Sequence, residues 1–266
     1  MKKIIYAFIG LLSIITLISC EYDNYDEPET TLQIVVKDGD DVLNTSHGEL
    51  FRLYQYVEDG YIAANSEYIP VNVDQEGKCQ ALLFPGRYKL VVNPGGKVNT
   101  VHMWNDFPRN EEGTLDTLYF ELKGNKELQF DVTPYYRIPN FTATVRNDSI
   151  VAEFDLEQAH EASGSERPND LMTRSVSLLV SPTMFVNNEV AKLQAKGSKM
   201  KVGERNQIRI SLKNYYTAQY YPNNYRDYAY VRIAVALRKD ATEYIYSRII
   251  KVENIPAETI NKFKTE

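Results

Sequence analysis

The most unusual concentration of chemically useful side chains is a tyrosine-rich segment at residues 215–230. It holds seven of the chain's 20 tyrosines, with asparagine, glutamine, arginine and aspartate between them. Aromatic planes beside amide and carboxylate groups suit a carbohydrate ligand, because sugar rings present flat C–H faces and a rim of hydroxyls. The candidate glycan-binding residues in this segment are Tyr215, Tyr216, Tyr220, Tyr221 and Tyr225. The alternatives are that these side chains fill the end of a β-sandwich, with Tyr230 as a corner residue, or contact a protein.

A second candidate is the segment of residues 93–117, which has the pattern of a long insertion between two strands. It contains Trp104, the one tryptophan of the chain, and Phe107 three residues later. Long loops on a β-sheet scaffold often carry binding residues, so both aromatic side chains join the candidate glycan-binding set. The alternative is that they fold down and cap the domain or the junction between domains.

Neither catalysis nor metal binding is indicated by the sequence. The three histidines, His47, His102 and His160, share no spacing typical of metal ligands. The acidic residues at 38–41 resemble the start of a calcium loop, but the glycine that such a loop requires at its sixth position is missing. No pair of carboxylates stands out for glycoside hydrolysis. We therefore predict that the protein is not an enzyme and has no catalytic residues, no metal site and no cofactor.

The charge balance excludes one large class of partner. The chain of 266 residues has 30 Lys+Arg and 36 Asp+Glu, for a formal net charge of -6. It has no basic block, so it lacks the electrostatic footprint of a protein that binds nucleic acid. With 43% hydrophobic residues, the composition is that of a globular protein with room for one large or two small domains.

The first twenty residues have the pattern of an export signal. Two lysines precede a mostly apolar run at residues 4–18, which is short for a membrane span, and the run ends in Leu-Ile-Ser-Cys at Cys20. This ending resembles a bacterial lipobox, which implies a signal peptide at residues 1–19 and diacylation of Cys20. The alternatives are an ordinary secretory signal cut near Ser19, or an uncleaved anchor.

The lipobox resemblance makes Cys20 the lipidated residue, and residues 20–30 are predicted to be an acidic tether, since no apolar core residues occur there. An acidic cluster directly after the cysteine resembles the surface-export signal of Bacteroidetes lipoproteins. The resemblance implies an outer-membrane protein on the cell surface that contacts the membrane through its lipid anchor only. A lipoprotein that faces the periplasm is the alternative. Cys79 is the other cysteine, so lipidation of Cys20 leaves no partner for an intramolecular disulfide.

The elements that must position these side chains are strands. Short runs of alternating apolar residues are separated by Gly, Asp, Asn and Pro along the whole mature chain. They predict an all-β fold of two tandem β-sandwiches, at residues 31–133 and 134–266. About seven strands in the second unit indicate an immunoglobulin-like or fibronectin-III-like sandwich. The proline-bracketed segment of residues 133–139 is the predicted connector between the two.

The first unit carries a recognisable motif. Asp74 and Gly77 are followed by Leu83, the Pro85-Gly86 pair and Tyr88. This spacing resembles the pattern of transthyretin-like, carboxypeptidase-regulatory-like domains, in which the glycine and the Pro-Gly pair form the turns between strands. Cys79 stands where that pattern usually has an aromatic residue. The resemblance implies a small sandwich that is not itself catalytic.

The complete layout resembles a family of uncharacterised Bacteroidetes surface lipoproteins. The stretch Asp-Val-Thr-Pro-Tyr-Tyr-Arg-Ile at residues 131–138 is the most specific part of the resemblance. Such proteins are typically associated with SusC/SusD-like outer-membrane pairs for polysaccharide utilisation. The resemblance therefore implies a polysaccharide or oligosaccharide ligand and a SusC/SusD-like partner. The alternative function is that of a structural or protein-interaction subunit of an outer-membrane complex.

Overall fold

A computed structural model describes most of the chain beyond the predicted tether. The described residues are 27–46, 48–58, 60–61, 67–93, 101–159, 176–191, 193–198, 200–217, 226–236 and 244–264. Within these residues the chain is built from β-strands with two short helices. The prediction of an all-β fold of tandem β-sandwiches is confirmed. The predicted signal peptide and Cys20 lie outside the described residues.

The first domain contains two five-stranded sheets. The strands are β1 (Thr30–Asp38), β2 (Asp41–Val42), β3 (Gly48–Val57), β4 (Gly60–Tyr61), β5 (Ile69–Val73), β6 (Lys78–Leu83), β7 (Gly86–Val92), β8 (Val101–Trp104), β9 (Thr117–Leu122) and β10 (Lys126–Pro134). One sheet has the order β2-β1-β10-β8, with β6 also paired to β1, and the other has the order β4-β3-β7-β9, with β5 also paired to β3. The apolar residues alternate along each strand, so each sheet turns one side to a shared core.

Strands β1 and β10 form the parallel pair of the first sheet. Their register runs from Leu32 opposite Lys126 to Lys37 opposite Asp131. Because the two strands run in the same direction, β10 carries the chain to the end of the domain at which β1 finishes. The chain enters the second domain from that end.

The turn before β6 explains why the predicted motif contains an aspartate and a glycine. The Asp74 carboxylate accepts hydrogen bonds from the backbone N–H groups of Glu76 and Lys78, at 2.8 and 2.9 Å. Gly77 has φ 71, and a Cβ atom there would lie 2.7 Å from the carbonyl oxygens of Leu43 and Val36. The position therefore needs glycine for its conformation and for the space around it.

The second domain contains the remaining strands and both helices. These elements are β11 (Tyr136–Arg137), β12 (Thr142–Arg146), β13 (Ser149–Asp155), β14 (Glu157–Gln158), β15 (Val176–Ser181), β16 (Leu193–Lys196), β17 (Arg205–Ser211), α1 (Leu212–Tyr216), β18 (Ala229–Ala236), β19 (Tyr244–Tyr246), β20 (Ile250–Val252) and α2 (Ala257–Lys264). A sheet of order β12-β13-β17 faces a sheet of order β16-β15-β18-β19, in which β20 also pairs with β18. Ile260 and Phe263 of α2 are buried in the core between them.

Each domain has its own large core, and the two cores divide between Val132 and Tyr136. The first is formed by side chains from Leu32 to Val132. The second is formed by side chains from Tyr136 to Phe263. Because neither core contains residues of the other domain, the domains are separate packing units.

The domains nevertheless contact each other through backbone pairing and one buried arginine. Thr45 of the first domain forms an antiparallel bridge with Ile245, and the N–H of Tyr246 donates to the carbonyl of Asn44 at 2.9 Å. Arg232 is 0% exposed. Its guanidinium donates to Gln75 Oε1 at 3.0 Å and to Asn44 Oδ1 at 3.2 Å. The interface is therefore built from specific hydrogen bonds.

Arg232 is also held within its own domain. It donates to the carbonyls of Val186 and Ser247 and lies over the Tyr246 ring, with 4.5 Å between its central carbon and the ring centroid. Burial lowers the pKa of Arg232 to about 10. All of these hydrogen-bond acceptors are neutral oxygens, so the arginine joins the two domains through polar groups and not through an ion pair.

Candidate functional site

The two candidate residues of the 93–117 segment are core residues. Trp104 is 6% exposed and Phe107 is 3% exposed. Trp104 lies at the end of β8, and its ring packs edge-on against Phe51 with 4.9 Å between centroids. Side chains this deeply buried present no face on which a sugar could stack. The structure corrects the glycan-binding expectation for both residues in favour of the capping alternative.

Tyr215 and Tyr216 are likewise buried, at 1% and 3% exposure. The Ser211 Oγ caps α1 by accepting from the N–H of Lys213, and the helix turns both tyrosines into the end of the sandwich. Their hydroxyls donate to the carbonyls of Tyr228 and Arg226, at 2.9 and 2.8 Å. Burial raises the pKa of Tyr215, and it raises that of Tyr216 to about 12.

These two tyrosines therefore seal the second core, which corrects the glycan-binding expectation for them. The other three candidates of that segment, Tyr220, Tyr221 and Tyr225, lie outside the described residues. Tyr230 packs, partly buried, against a small cluster that contains Leu179 and Val186.

The structure brings a different set of tyrosines together, on the outer surface of the β4-β3-β7-β9 sheet. Phe51 and Leu53 of β3 and Leu90 of β7 point into the core, so the residues that alternate with them point outward. We call this surface the tyrosine face. Its members are Tyr54, Tyr56, Tyr61, Tyr68 and Tyr119, with the cations Arg52, Arg87 and Lys89.

The tyrosine rings form two contact groups across the strands. Tyr56, Tyr61 and Tyr119 are linked in a row, with centroid separations of 5.2 Å for the first pair and 5.6 Å for the second. Tyr54 and Tyr68 form the other group, at 6.0 Å. Tyr119 is 61% exposed, and the other four are half-buried. The sheet fixes the spacing of the rings, so the face is rigid before any ligand arrives.

Each of the three cations of the tyrosine face lies over a tyrosine ring. The central carbon of Arg87 is 3.5 Å from the centroid of Tyr56, and that of Arg52 is 4.3 Å from the centroid of Tyr68. Lys89 Nζ is 4.7 Å from the centroid of Tyr54. These distances are in the range of cation–π attraction. The contacts orient the charged groups and the rings together.

The chemistry of the tyrosine face matches that of a carbohydrate platform. It offers aromatic planes for C–H stacking, phenol hydroxyls that donate and accept, and guanidinium and ammonium donors. The sequence contains the signal for this face: Arg52, Tyr54 and Tyr56 alternate along one strand, and Arg87 and Lys89 along another. The predicted sites do not include this face, because they follow the local density of tyrosines at residues 215–230 and not the outward side of these strands.

A cleft between the domains is a separate feature. Its cavity volume is about 590 Å³, and residues 38–44, 134–141 and 245–248 contribute to its lining. Arg137 in its wall makes a bidentate contact with Asp38, in which both N···O distances are 2.6 Å. Asp38 belongs to the first domain and Arg137 to the second, so this ion pair links the two domains and neutralises both charges.

The described part of the chain contains neither a metal-ligand cluster nor a helix that could span a membrane. There, no group of three or more His, Cys, Asp or Glu side chains is placed to hold a metal ion. Neither of the two helices in that part has the length and apolar character needed to cross a membrane.

Comparison with known proteins identifies the first domain. Residues 31–133 match the family model described as "Protein of unknown function (DUF3823) N-terminal domain". The similarity to this family domain covers the first domain of the structure. No curated protein matches the chain.

Solved structures from Bacteroidetes share the fold over most of the chain. A DUF3823 family protein from Parabacteroides merdae has 24% identity and a TM-score of 0.59, and the match covers 86% of this chain and 100% of that one. A DUF3823 family protein from Bacteroides ovatus has 22% identity and a TM-score of 0.58, with coverage of 86% and 100%. A protein from Bacteroides uniformis described as a "putative carbohydrate binding protein" has 12% identity and a TM-score of 0.57, with coverage of 85% and 99%. At these identities the likeness shows the fold.

Proposed function

We propose that this protein belongs to the DUF3823 family and is a non-catalytic glycan-binding lipoprotein of the cell surface. Its proposed role is an accessory one in polysaccharide uptake beside a SusC/SusD-like pair. The observation that carries the proposal is the tyrosine face. Five tyrosine rings and three cations share one rigid sheet surface, and Tyr119 is 61% exposed. The description of the Bacteroides uniformis neighbour adds support from a protein of the same fold.

The energetics favour a flat, extended ligand on this surface. Each sugar ring that stacks on an aromatic plane removes apolar C–H surface from water, and the hydroxyl rim is satisfied by polar neighbours. The cross-strand register keeps the rings in place, because Tyr54 is opposite Lys89, and Lys89 is opposite Tyr119. Little conformational entropy is then lost on binding, which suits a site that captures long chains through several weak contacts.

The proposed location depends on the N-terminal sequence. The apolar run at residues 4–18 is followed by Ser19 and Cys20, and the predicted acidic tether comes after them. A diacylated Cys20 would hold the protein at the outer membrane through its lipid alone, since two acyl chains give stable anchoring. Mass spectrometry of the protein from its native membrane tests this step. Loss of residues 1–19 with a diacylglycerol mass on Cys20 is expected, and an unmodified Cys20 would contradict it.

A second candidate function, that of a protein-interaction subunit, is favoured by a separate surface. Met184, Phe185 and Val190 follow β15 in the second domain and are 55%, 63% and 40% exposed. Exposed apolar groups of this kind are frequent at sites of protein contact. Both functions are compatible in one molecule, because the apolar group and the tyrosine face lie on different domains.

Affinity electrophoresis of residues 21–266 against plant, host and microbial polysaccharides tests the glycan-binding proposal. Retardation by at least one glycan is expected, and Tyr119→Ala together with Tyr61→Ala should weaken it by about tenfold, since two stacking surfaces are lost. Phe185→Ala is the matched control, because Phe185 is 63% exposed in the other domain and its loss should leave the retardation unchanged.

Two results would contradict the proposal. One is the absence of retardation by every glycan in the panel. The other is retardation that the tyrosine variants do not reduce although their circular dichroism spectra match that of the parent protein. Either result would favour the interaction-subunit function, for which Phe185→Ala is then the informative variant in a pull-down from outer membranes.

A further inference from the structure

Two cations occupy the middle of the tyrosine face. Arg87 and Lys89 alternate with core residues along β7, so both side chains emerge on the outer surface between β3 and β9. Lys89 lies between two rings, with its Nζ 4.7 Å from the centroid of Tyr54 and 5.4 Å from that of Tyr61. The charges are therefore placed where a stacked ligand would lie, and not at the margin.

Neither of these charges is neutralised within the part of the chain that the structure describes. There, no carboxylate lies within ion-pair distance of Arg87 or Lys89. Glu121 is opposite Arg87 across the β7–β9 pair, yet its carboxylate pairs with Lys123 Nζ at 2.9 Å. Arg52, by contrast, is paired with Glu49 at 2.7 Å.

This arrangement stands out against the charge of the protein as a whole. The chain has a net charge of -6, so two cations without a carboxylate partner on this aromatic surface are opposite in sign to the protein as a whole. A neutral ligand that covered the surface would remove water from both cations and give no counter-charge in return, which is costly. A ligand with carboxylate or sulfate groups supplies that counter-charge, and a guanidinium can bind either group in a bidentate manner.

We infer that the tyrosine face binds an anionic glycan, one whose sugar rings carry carboxylate or sulfate groups, with Arg87 and Lys89 as the anion-binding residues. The inference rests on the proposed glycan-binding function and specifies its ligand class. The rings stack on the tyrosines, while the acidic substituents reach the two cations between them. An acidic peptide would satisfy the charges but would leave the aromatic planes without flat partners, so the glycan is the better fit.

The test compares matched pairs of polysaccharides by isothermal titration with residues 21–266. The probes are polygalacturonate and its carboxyl-reduced neutral form, a sulfated galactan and its desulfated form, and poly-glutamate. At least one anionic member is expected to bind about tenfold or more tightly than its neutral counterpart. The pair that shows this difference identifies the substituent as carboxylate or sulfate. Binding should weaken as NaCl rises from about 50 to about 500 mM, because salt screens these exposed charges.

The double variant Arg87→Gln with Lys89→Gln should remove the preference for the anionic member while leaving residual binding to the neutral one. The control is Arg209→Gln with Lys196→Gln, which removes two exposed cations from strands of the second domain. It should retain the full preference. Both proteins are first compared by thermal unfolding, so a folding defect would be recognised.

The outcomes separate this inference from the function on which it rests. Equal affinity for the anionic and neutral members overturns the anionic ligand class and leaves glycan binding intact. Poly-glutamate that binds as tightly as the best glycan overturns the inference in favour of an acidic peptide. An anionic preference that persists in the Arg87/Lys89 variant places the charge recognition elsewhere and overturns the site. Absence of binding to every polysaccharide contradicts the proposed function itself.

Discussion

Single residues in this protein are explained by the backbone around them. Gly77 and Gly113 both have positive φ, 71 and 78, but their surroundings differ. A Cβ on Gly77 would lie 2.7 Å from two backbone oxygens, whereas a Cβ on Gly113 would have no atom within 4 Å. The two positions therefore separate the cost of backbone conformation from the cost of a steric clash.

Gly77→Ala is expected to destabilise the first domain by about 4 kcal/mol, and Gly113→Ala by about 1 kcal/mol. Both variants bear the cost of a left-handed alanine, and the Gly77 variant must also displace the backbone of Leu43 or Val36. Urea unfolding followed by the fluorescence of Trp104 measures both free energies. Equal destabilisation by the two substitutions would show that the clash at Gly77 relaxes without cost.

The sequence predicts the turn at Gly77 but not the tyrosine face, for a physical reason. The Asp74-to-Gly77 turn is a local structure, so residue types and spacing are enough to predict it. Tyr61 and Tyr119 contact each other across 58 residues of sequence, and that contact depends on the order of the strands. The density of tyrosines at residues 215–230 was a local signal too, and in Tyr215 and Tyr216 it marks burial.

At the scale of elements, β8 is one of the short strands that the sequence did not predict. It has only four residues, Val101–Trp104, and pairs with β10 across a shifted register between Thr133 and Pro134. The strand alternation of apolar residues is too short there to be recognised, so Trp104 seemed to belong to a loop. In the structure β8 closes the edge of the first sheet, and Trp104 and Phe107 pack around Phe51.

Trp104→Ala is expected to lower the free energy of unfolding by about 4 kcal/mol, because it leaves a cavity against Phe51, Phe107 and Phe130. Met103→Ala on the same strand is the control. Met103 is 47% exposed, so its removal should change stability by less than about 0.5 kcal/mol. Urea unfolding followed by far-ultraviolet circular dichroism measures both.

The same pair of variants distinguishes structure from binding. At a temperature where Trp104→Ala remains folded, its affinity for a glycan should stay within about twofold of the parent value, a difference of less than about 0.5 kcal/mol. The tyrosine face lies on the outer side of β3, whereas Phe51 and Trp104 lie on the core side. A large, specific loss of affinity in the folded variant would restore Trp104 as a binding residue.

At the scale of the whole molecule, two sandwiches were predicted and their docking was not. In β18 the apolar residues Val231, Ile233 and Val235 face the core. This alternation predicts that the side chain of Arg232 is exposed to solvent. The structure buries Arg232 completely, because Asn44 and Gln75 of the first domain cover it while Tyr246 of its own domain packs against it. A contact between domains leaves no periodic signal in either strand, which is why the sequence alone could not show it.

Asn44→Ala is expected to weaken the second domain although Asn44 belongs to the first. The substitution removes one acceptor from a buried guanidinium, at a cost of about 2 kcal/mol. Hydrogen exchange should therefore quicken in β18 and β19, the strands beside Arg232 and Tyr246. Asn72→Ala, at an exposed position of β5, is the control and should leave exchange in the second domain unchanged. Unaltered exchange in the Asn44 variant would mean that the domains are stabilised independently.

The parallel pairing of β1 with β10 also has a consequence for how the proposed lipid anchor would orient the protein. Chain that precedes Thr30 leaves the first domain at the end opposite the second domain, a strand's length of about 30 Å away. If Cys20 is lipidated as proposed, the first domain would lie nearer the membrane and the second domain would lie outermost. The strands of the first domain would then run roughly perpendicular to the bilayer, and the tyrosine face would point parallel to the membrane plane. A polysaccharide bound to the tyrosine face would then lie beside the first domain, within reach of a neighbouring importer. The exposed apolar group of the second domain would lie farther from the membrane.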